Sequence, residues 1–196
     1  MTELPALQDW LDSFIRFGKR RAVGLRSNFG TRWWNFSRLC RGTLYAAHLL
    51  AECKLKASDR VLLYAPSSPE WLALLLGCAW RGLVPVTLDA GTPLELLAAV
   101  VRDLSVKLVV FTEGQRIGAV DCPLLRIQAL EPPTDWNPDA AQLRVPVAAD
   151  ATAIEYATAS ATQPASGRRL PPPPPKGREL KQPVFEVANP MTPESL

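Results

Sequence analysis

The positions of hydrophobic side chains predict helices and strands from the start of the chain. Apolar residues first recur at the three-and-four spacing of one helix face, which predicts an amphipathic helix over residues 6–18. Two β-prone runs, residues 22–25 and 32–36, then flank Asn28-Phe29-Gly30, an arrangement typical of a hairpin. Ser37 is the predicted N-cap of a second helix that runs to about Cys53.

The next segments predict a buried strand followed by a buried helix. Residues 60–65 have a continuous apolar centre, as expected of a parallel strand covered on both faces. Ser68 is the predicted N-cap of the following helix, and Pro69 its first residue, where a missing N–H costs nothing. Residues 71–80 leave hardly any polar face, so this helix is expected between two layers of structure, and Gly82 is expected to end it.

The same alternation continues toward the C-terminus. Residues 84–88 and 107–112 are predicted strands, and the helix between them is predicted to begin with a capping box formed by Thr92 and Glu95. Weaker strand patterns lie at residues 124–127 and within 145–156. The order β-α-β-α-β with short links predicts an α/β fold with a doubly wound, mainly parallel sheet and right-handed crossovers.

Composition divides the chain into a folded part and a tail. Hydrophobic residues make up 47% of the 196 residues, but nine of the 19 prolines fall between residues 164 and 193. We therefore expect one domain over residues 1–155 and a disordered proline-rich tail over 156–196. Five consecutive prolines at residues 171–175 favour the polyproline II conformation.

Charge is unevenly distributed, although the net charge is only +3. No acidic residue occurs from Ser13 to Ala51, whereas eight residues in this stretch are basic: Arg16, Lys19, Arg20, Arg21, Arg26, Arg32, Arg38 and Arg41. The favoured interpretation is a solvated face of a helix and hairpin. The alternative is a surface that attracts a phosphate-bearing ligand, nucleic acid or anionic lipid.

Cysteine and histidine usage disfavours a structural metal site. The four cysteines show no CxxC spacing and His48 is the single histidine, so no zinc site is predicted. The N-terminus lacks the pattern of a signal peptide, and no apolar run is long enough to span a bilayer. These features predict a cytoplasmic protein with reduced thiols.

Three short motifs carry a resemblance to a known family. They are W-N-F-S-R-L at residues 34–39, D-R-V at 59–61 with A-P-S-S-P-E-W at 65–71, and the glycine-to-strand segment at 77–88. In order and spacing, residues 33–112 resemble the N-terminal subdomain of AMP-forming acyl-CoA synthetases, members of the adenylate-forming enzyme superfamily. The matching residues are scaffold, so the resemblance identifies no catalytic residue and no metal ligand.

The resemblance implies an activity and a place for it. Members of the family use ATP and Mg²⁺ to activate a carboxylic acid, here expected to be a fatty acid, as an acyl-adenylate. Coenzyme A or a carrier-protein thiol then takes the acyl group. Their phosphate loop, Y-T-S-G-T-T-G-x-P-K-G, would begin at Tyr156 of this chain, which makes Thr158, Ser160 and Thr162 the candidate cofactor-binding residues.

This phosphate loop departs from the family pattern. Its glycine positions hold other residues, and Ala165 and Ser166 replace the lysine and the last glycine. Alanine does not readily adopt the positive φ that glycine allows, and its Cβ would crowd a phosphate. The chain is therefore expected to bind ATP poorly and to be an inactive N-terminal fragment. The change in composition within the loop also predicts a frameshift near codon 157.

Two other functions compete with the enzyme fragment. The first is a non-catalytic interaction protein whose Rossmann-like core presents the proline-rich tail, because residues 168–174 fit the R-x-x-P-x-x-P pattern of SH3 ligands. The second is a nucleic-acid surface in the basic, aromatic region before Tyr45. Trp33, Trp34 and Phe36 are more simply explained as strand and core residues, so no nucleic-acid partner is expected.

Overall fold

A computed structural model of the chain describes residues 7–127, 130–147 and 154–157. Helix α1 (Leu7–Phe14) continues as a short 3-10 helix (Ile15–Phe17), and an antiparallel hairpin follows, formed by β1 (Arg21–Ser27) and β2 (Gly30–Asn35). The amphipathic first helix and the hairpin predicted from the sequence are thereby confirmed.

The remaining elements alternate between helices and strands of one sheet. In chain order they are α2 (Phe36–Glu52), β3 (Arg60–Tyr64), α3 (Pro69–Trp80), β4 (Val84–Leu88), α4 (Leu94–Asp103), β5 (Leu108–Thr112), β6 (Leu124–Ile127), α5 (Ala140–Leu143) and β7 (Glu155–Tyr156). Each strand predicted between residues 60 and 127 is present within a residue or two of its expected position.

The sheet is parallel and doubly wound, as predicted. Its strand order is β6-β5-β3-β4-β7, and every neighbouring pair is parallel. The chain moves from β3 through α3 to β4 on one side, then returns through α4 to β5 on the other side of β3. Right-handed crossovers in opposite directions place α3 and α4 on opposite faces of the sheet.

Alternate residues of β3 separate the two cores. Val61 and Leu63 point toward α1, α2 and α3, which cover what we call the first face. Leu62 and Tyr64 point toward α4 on the second face. Since β3 is the central strand and is covered on both sides, these four side chains are all buried.

The ends of α3 follow the sequence predictions. The Ser68 hydroxyl accepts a hydrogen bond from the backbone N–H of Trp71 at 3.0 Å, and Pro69 occupies the first helical position. Gly82 ends the helix with φ of +65°, a conformation that glycine adopts without the steric cost of a Cβ.

Two other predicted caps are wrong. Helix α2 is capped by Asn35, not Ser37, because Asn35 is extended and its side-chain oxygen accepts the Arg38 N–H at 2.7 Å. The capping box at Thr92 does not form, because α4 begins one residue later than the box requires and Pro93 occupies the N-cap position. The backbone carbonyl of Thr92 instead accepts a hydrogen bond from the Tyr64 hydroxyl at 2.9 Å.

Helix α1 is tied to the end of α3 by one buried side chain. The Gln8 amide nitrogen donates to the carbonyl oxygens of Ala79 at 2.9 Å and Val145 at 2.7 Å. Beside it, the Arg144 guanidinium forms ion pairs with Asp9 and Asp12. These bonds make α1 an outer layer over the first face.

Candidate functional site

The carboxyl ends of the five parallel strands meet at one side of the sheet, which we call the carboxyl edge. In open α/β sheets, ligands bind outside this edge, near the point where the chain reverses its direction of winding. In this fold, that point lies between the adjacent strands β3 and β5, because the chain leaves β3 toward β4 and leaves β5 toward β6, in opposite directions across the sheet.

The predicted phosphate-loop residues Thr158, Ser160 and Thr162 lie outside the described residues, as does the proline-rich tail. The strand that leads to them is described. The N–H of Ala157 donates to the carbonyl oxygen of Thr87 at 3.1 Å, so β7 reaches the carboxyl edge beside β4. Thr158 therefore follows directly on a residue at this edge.

A cavity of about 440 Å³ opens at the same edge on the first face, and we call it the edge cavity. Its volume lies within the range of small-molecule sites. Its apolar walls are formed by Ala65, Trp71, Leu74 and Ile127, and its polar residues are Arg32, Ser68, Glu70, Thr112 and Glu131.

An ion pair joins the hairpin to α3 across the edge cavity. The Arg32 guanidinium donates two hydrogen bonds to the Glu70 carboxylate, one of them at 2.8 Å. This contact raises the pKa of Arg32 against the opposing effect of its burial. Burial alone would raise the pKa of Glu70, but hydrogen bonds from Arg32, its own backbone N–H and Ser68, with the charge of Arg32, hold that pKa below its ordinary value.

The charges around the edge cavity balance each other. Glu131 pairs with Arg38, whose guanidinium also lies 4.7 Å from the centre of the Trp34 ring. Two guanidinium groups therefore face two carboxylates. A polyphosphate gains little from such a neutral arrangement, since each cation already has an anionic partner.

The start of α3 also offers no open phosphate site. A helix N-terminus binds anions through backbone N–H groups that lack an internal partner. Here the Ser68 hydroxyl accepts a hydrogen bond from the N–H of Trp71, and Pro69 has no N–H to offer. The Glu70 carboxylate accepts a hydrogen bond from its own backbone N–H. The first turn is therefore satisfied by side chains of the same segment.

The described residues contain no cluster of side chains that could enclose a metal ion. Within ranges 7–127, 130–147 and 154–157, no three His, Cys, Asp or Glu side chains come together as ligands. Burial raises the pKa of Cys40 to about 11 and that of Cys78 to about 12, so both thiols stay protonated at neutral pH. We therefore assign no described residue to Mg²⁺.

No helix in the part of the chain that the structure describes combines the length and apolar character needed to cross a bilayer.

Sequence reasoning missed the edge cavity. Glu70 and Trp71 were recognised as parts of a family motif, and Arg32 as one member of a basic stretch. Nothing local indicates that Arg32 and Glu70 meet, because they are 38 residues apart, Arg32 on strand β2 and Glu70 on helix α3. The signal that could have suggested a pair is the isolated acid at the start of an otherwise apolar helix.

Comparison with known proteins identifies relatives of one kind. A family model described as AMP-binding enzyme matches residues 13–183. The acetyl-coenzyme A synthetase of Mycolicibacterium smegmatis is 37% identical over 70 residues, which cover 36% of this chain and 7% of that protein. Human mitochondrial acyl-coenzyme A synthetase ACSM2B is 33% identical over 103 residues, covering 50% of this chain and 18% of that protein.

Solved structures share the fold. The N-terminal subdomain of Klebsiella oxytoca NpsA, in complex with 3-hydroxybenzoyl-AMSN, superimposes with a TM-score of 0.63 over 82% of this chain and 39% of that one, at 18% identity. The chain matches less than a fifth of the length of the two synthetases. These relatives do not favour the interaction protein with a proline-rich tail.

Proposed function

Because the chain belongs to the family of AMP-binding enzymes, we propose that it forms the N-terminal part of an AMP-forming acid–thiol ligase and is inactive alone. In the proposed reaction, the carboxylate of a fatty acid attacks the α-phosphorus of ATP, which gives an acyl-adenylate and pyrophosphate. The thiol of coenzyme A or of a carrier protein then attacks the acyl carbon and releases AMP.

The observation that carries this proposal is the position of β7. The strand pairs with β4 and brings Ala157 to the carboxyl edge, where the loop after a strand can reach a nucleotide. The residues matched by the family model include this loop. Hydroxyls at Thr158, Ser160 and Thr162 would donate hydrogen bonds to phosphate oxygens.

The same loop supports the proposed lack of activity. A phosphate loop works by bringing successive backbone N–H groups against the phosphates, which requires glycine at the closest approaches. The three glycine positions of the family pattern hold Ala159, Thr162 and Ser166, each of which carries a Cβ, and Ala165 removes the cation expected there. The neutral edge cavity supplies no substitute for that charge.

Calorimetric titration with Mg-ATP tests the proposal on the full chain. We expect no micromolar binding by the natural sequence. The variant Ala159→Gly/Thr162→Gly/Ala165→Lys/Ser166→Gly, which restores the three glycines and the lysine of the family pattern, should bind ATP more tightly. The variant Ala119→Gly controls for a glycine added to an exposed loop and should behave as the natural chain. Micromolar affinity in the unmodified chain would overturn the proposed loss of the nucleotide site.

Activity is tested separately. Pyrophosphate release in the presence of ATP, Mg²⁺, a medium-chain fatty acid and coenzyme A should stay at the level of a reaction without protein. Turnover above that level would show that the chain is a working ligase.

The predicted frameshift is tested by translating the downstream DNA in the other two frames and searching each for the missing motifs.

A further inference from the structure

The hairpin and the short 3-10 segment before it combine exposed cations with exposed apolar side chains, and we call these exposed residues the basic ribbon. Its exposed basic residues are Arg16, Lys19, Arg20, Arg21 and Arg26. Its exposed apolar residues are Ile15, Phe17, Phe29 and Trp33, of which Ile15 is 68% exposed and Phe29 fully exposed. Both sets fall within one short segment.

The strand register shows which side chains of the hairpin share its outer side. Gly24 pairs with Trp33 and Arg26 pairs with Thr31, so these residues point to the outer side of the hairpin. Val23 and Trp34 form the adjacent pair and are buried on the inner side. The hairpin therefore has one side fixed to the body of the protein and one side free.

Local contacts hold the Trp33 and Phe17 rings and order the turn that carries Phe29. The Trp33 ring lies so close to Gly24 that a Cβ there would be 2.8 Å from it, and the Arg21 guanidinium lies 5.0 Å from the ring centre. At the tip, the Ser27 hydroxyl accepts the Phe29 N–H at 3.3 Å, which orders the turn. At the other end, the Phe17 ring packs 5.0 Å from Phe36.

The cations of the basic ribbon are free to meet an external anion. Arg32, on the inner side of the hairpin, is paired with Glu70, and Arg38, on helix α2, is paired with Glu131. Within the described ranges, the salt bridges include none to Arg16, Lys19, Arg20, Arg21 or Arg26. Because no acid occurs from Ser13 to Ala51, the acid closest in sequence to these cations is Asp12, which pairs with Arg144.

We propose that the basic ribbon binds the surface of an anionic lipid bilayer, with Phe29 and Trp33 placed among the headgroups. Tryptophan is enriched at membrane interfaces, where its amphipathic ring lies at headgroup level. Basic side chains near an anionic leaflet each strengthen binding by about fivefold. The combination of cations with apolar groups around them is the pattern of an interfacial anchor.

A bilayer fits these observations better than nucleic acid does. Single-stranded nucleic acid requires rings on which successive bases can stack. Here Phe29 and Trp33 form no ring pair with each other among the aromatic contacts of the described residues, and the large apolar exposure of Ile15 is aliphatic. A lipid bilayer is fluid, so it can bury such separate apolar side chains at the same time without requiring that their rings be aligned.

Vesicle flotation with the full chain tests the proposal. We expect the protein to float with vesicles of phosphatidylcholine and phosphatidylserine in low salt, and to stay at the bottom with phosphatidylcholine alone or in high salt. The variant Arg16→Gln/Lys19→Gln/Arg20→Gln/Arg26→Gln should lose at least a hundredfold in affinity, and Phe29→Ser should lose several-fold at unchanged net charge.

A matched variant separates this surface from net charge. Lys54→Gln/Lys56→Gln/Lys107→Gln/Arg116→Gln removes the same number of exposed cations outside the basic ribbon and should keep most of the binding. Equal loss in both charge variants, or no flotation of the natural chain, would overturn the proposal. So would binding of a single-stranded RNA oligonucleotide by a chain that does not float with anionic vesicles.

Discussion

The two faces of the sheet are covered by different numbers of helix layers. On the first face, α3 lies directly on the sheet, and α1 and α2 pack over it, so its residues from Ala73 to Trp80 are all buried. On the second face, α4 buries only Leu97, Val100 and Val101 and exposes the rest of its surface to different degrees. An inner helix is apolar all round, whereas a helix with one neighbour needs a single apolar stripe.

The close packing of α2 on α3 over the first face depends on small residues where the two helices cross. Gly77 of α3 faces α2 so closely that an added Cβ would lie 2.8 Å from the Cβ of Ala46 and 3.1 Å from the backbone nitrogen of Ala47. Two helices that approach this closely leave no room for relaxation. Among the described residues, the hydrophobic cluster of the second face contains side chains of α4 and of no other helix, so no comparable crossing is found there.

The largest expected effect compares adjacent residues of one strand. Leu63 faces the double layer and Leu62 faces α4, and both are completely buried. We expect Leu63→Ala to cost about 4 kcal/mol of unfolding free energy and Leu62→Ala about 3 kcal/mol, since a single helix can settle into the space more easily. Urea unfolding of both variants gives the comparison. A larger loss of unfolding free energy for Leu62→Ala would show that the number of helix layers over a strand does not control how far the structure can close the cavity.

A glycine substitution tests the close crossing on the first face. Gly77→Ala should gain about 1 kcal/mol of helix propensity and lose more from overpacking, for a net cost of about 1–2 kcal/mol. Gly118→Ala is the control near the second face, because its Cβ would lie 3.6 Å from Leu94, an ordinary contact. Thermal unfolding should shift for the first variant alone. Equal shifts would contradict a special packing constraint between α2 and α3.

The outer layer of the first face is tested at Gln8. Gln8→Leu keeps the volume roughly constant but leaves the carbonyl groups of Ala79 and Val145 without this donor. The Ala79 carbonyl keeps the N–H of Gly82 at 3.1 Å, and the contact to Val145 is partly buried. We therefore expect a loss of about 1 kcal/mol, at the low end of the range for an unpaired buried acceptor. Gln142→Leu, at an exposed position, should change urea unfolding little. No effect at Gln8 would mean that α1 is not anchored through these bonds.

The smallest effect concerns the ion pair between hairpin and α3. The pKa of Glu70 is lowered in the folded state, so its contribution to stability is present above its ordinary value of 4.5 and is lost as pH falls through the folded value. Glu70→Gln should therefore destabilise by less than about 1 kcal/mol at neutral pH, given the exposure of Arg32.

The difference between the Glu70 variant and the natural chain should shrink toward zero in acid. Urea unfolding at several pH values measures this difference. Glu113→Gln, in an exposed loop, is the matched control. A gap that widens as the pH falls would show that Glu70 does not act through its charge.

The sequence predicted a helix end correctly where the residues that define it lie within a few positions of that end. Ser68, Pro69 and Gly82 act within one turn of the helix ends they define, so their roles could be read directly. The caps at Ser37 and Thr92 were wrong by one or two positions. Neighbouring polar side chains can accept hydrogen bonds from the same N–H groups at a helix start. Which of them becomes the N-cap depends on where the preceding strand or turn places the backbone.

Hydrophobic periodicity and short links were enough to determine the strands, the buried helix α3 and the parallel, doubly wound sheet, because each depends on spacing along the chain. Tertiary structure alone decided the strand order β6-β5-β3-β4-β7, the Gln8 anchor and the edge cavity. These features join residues such as Arg32 and Glu70 from separate elements. Their contact is set by how the elements cross, and no local pattern in the sequence carries that information.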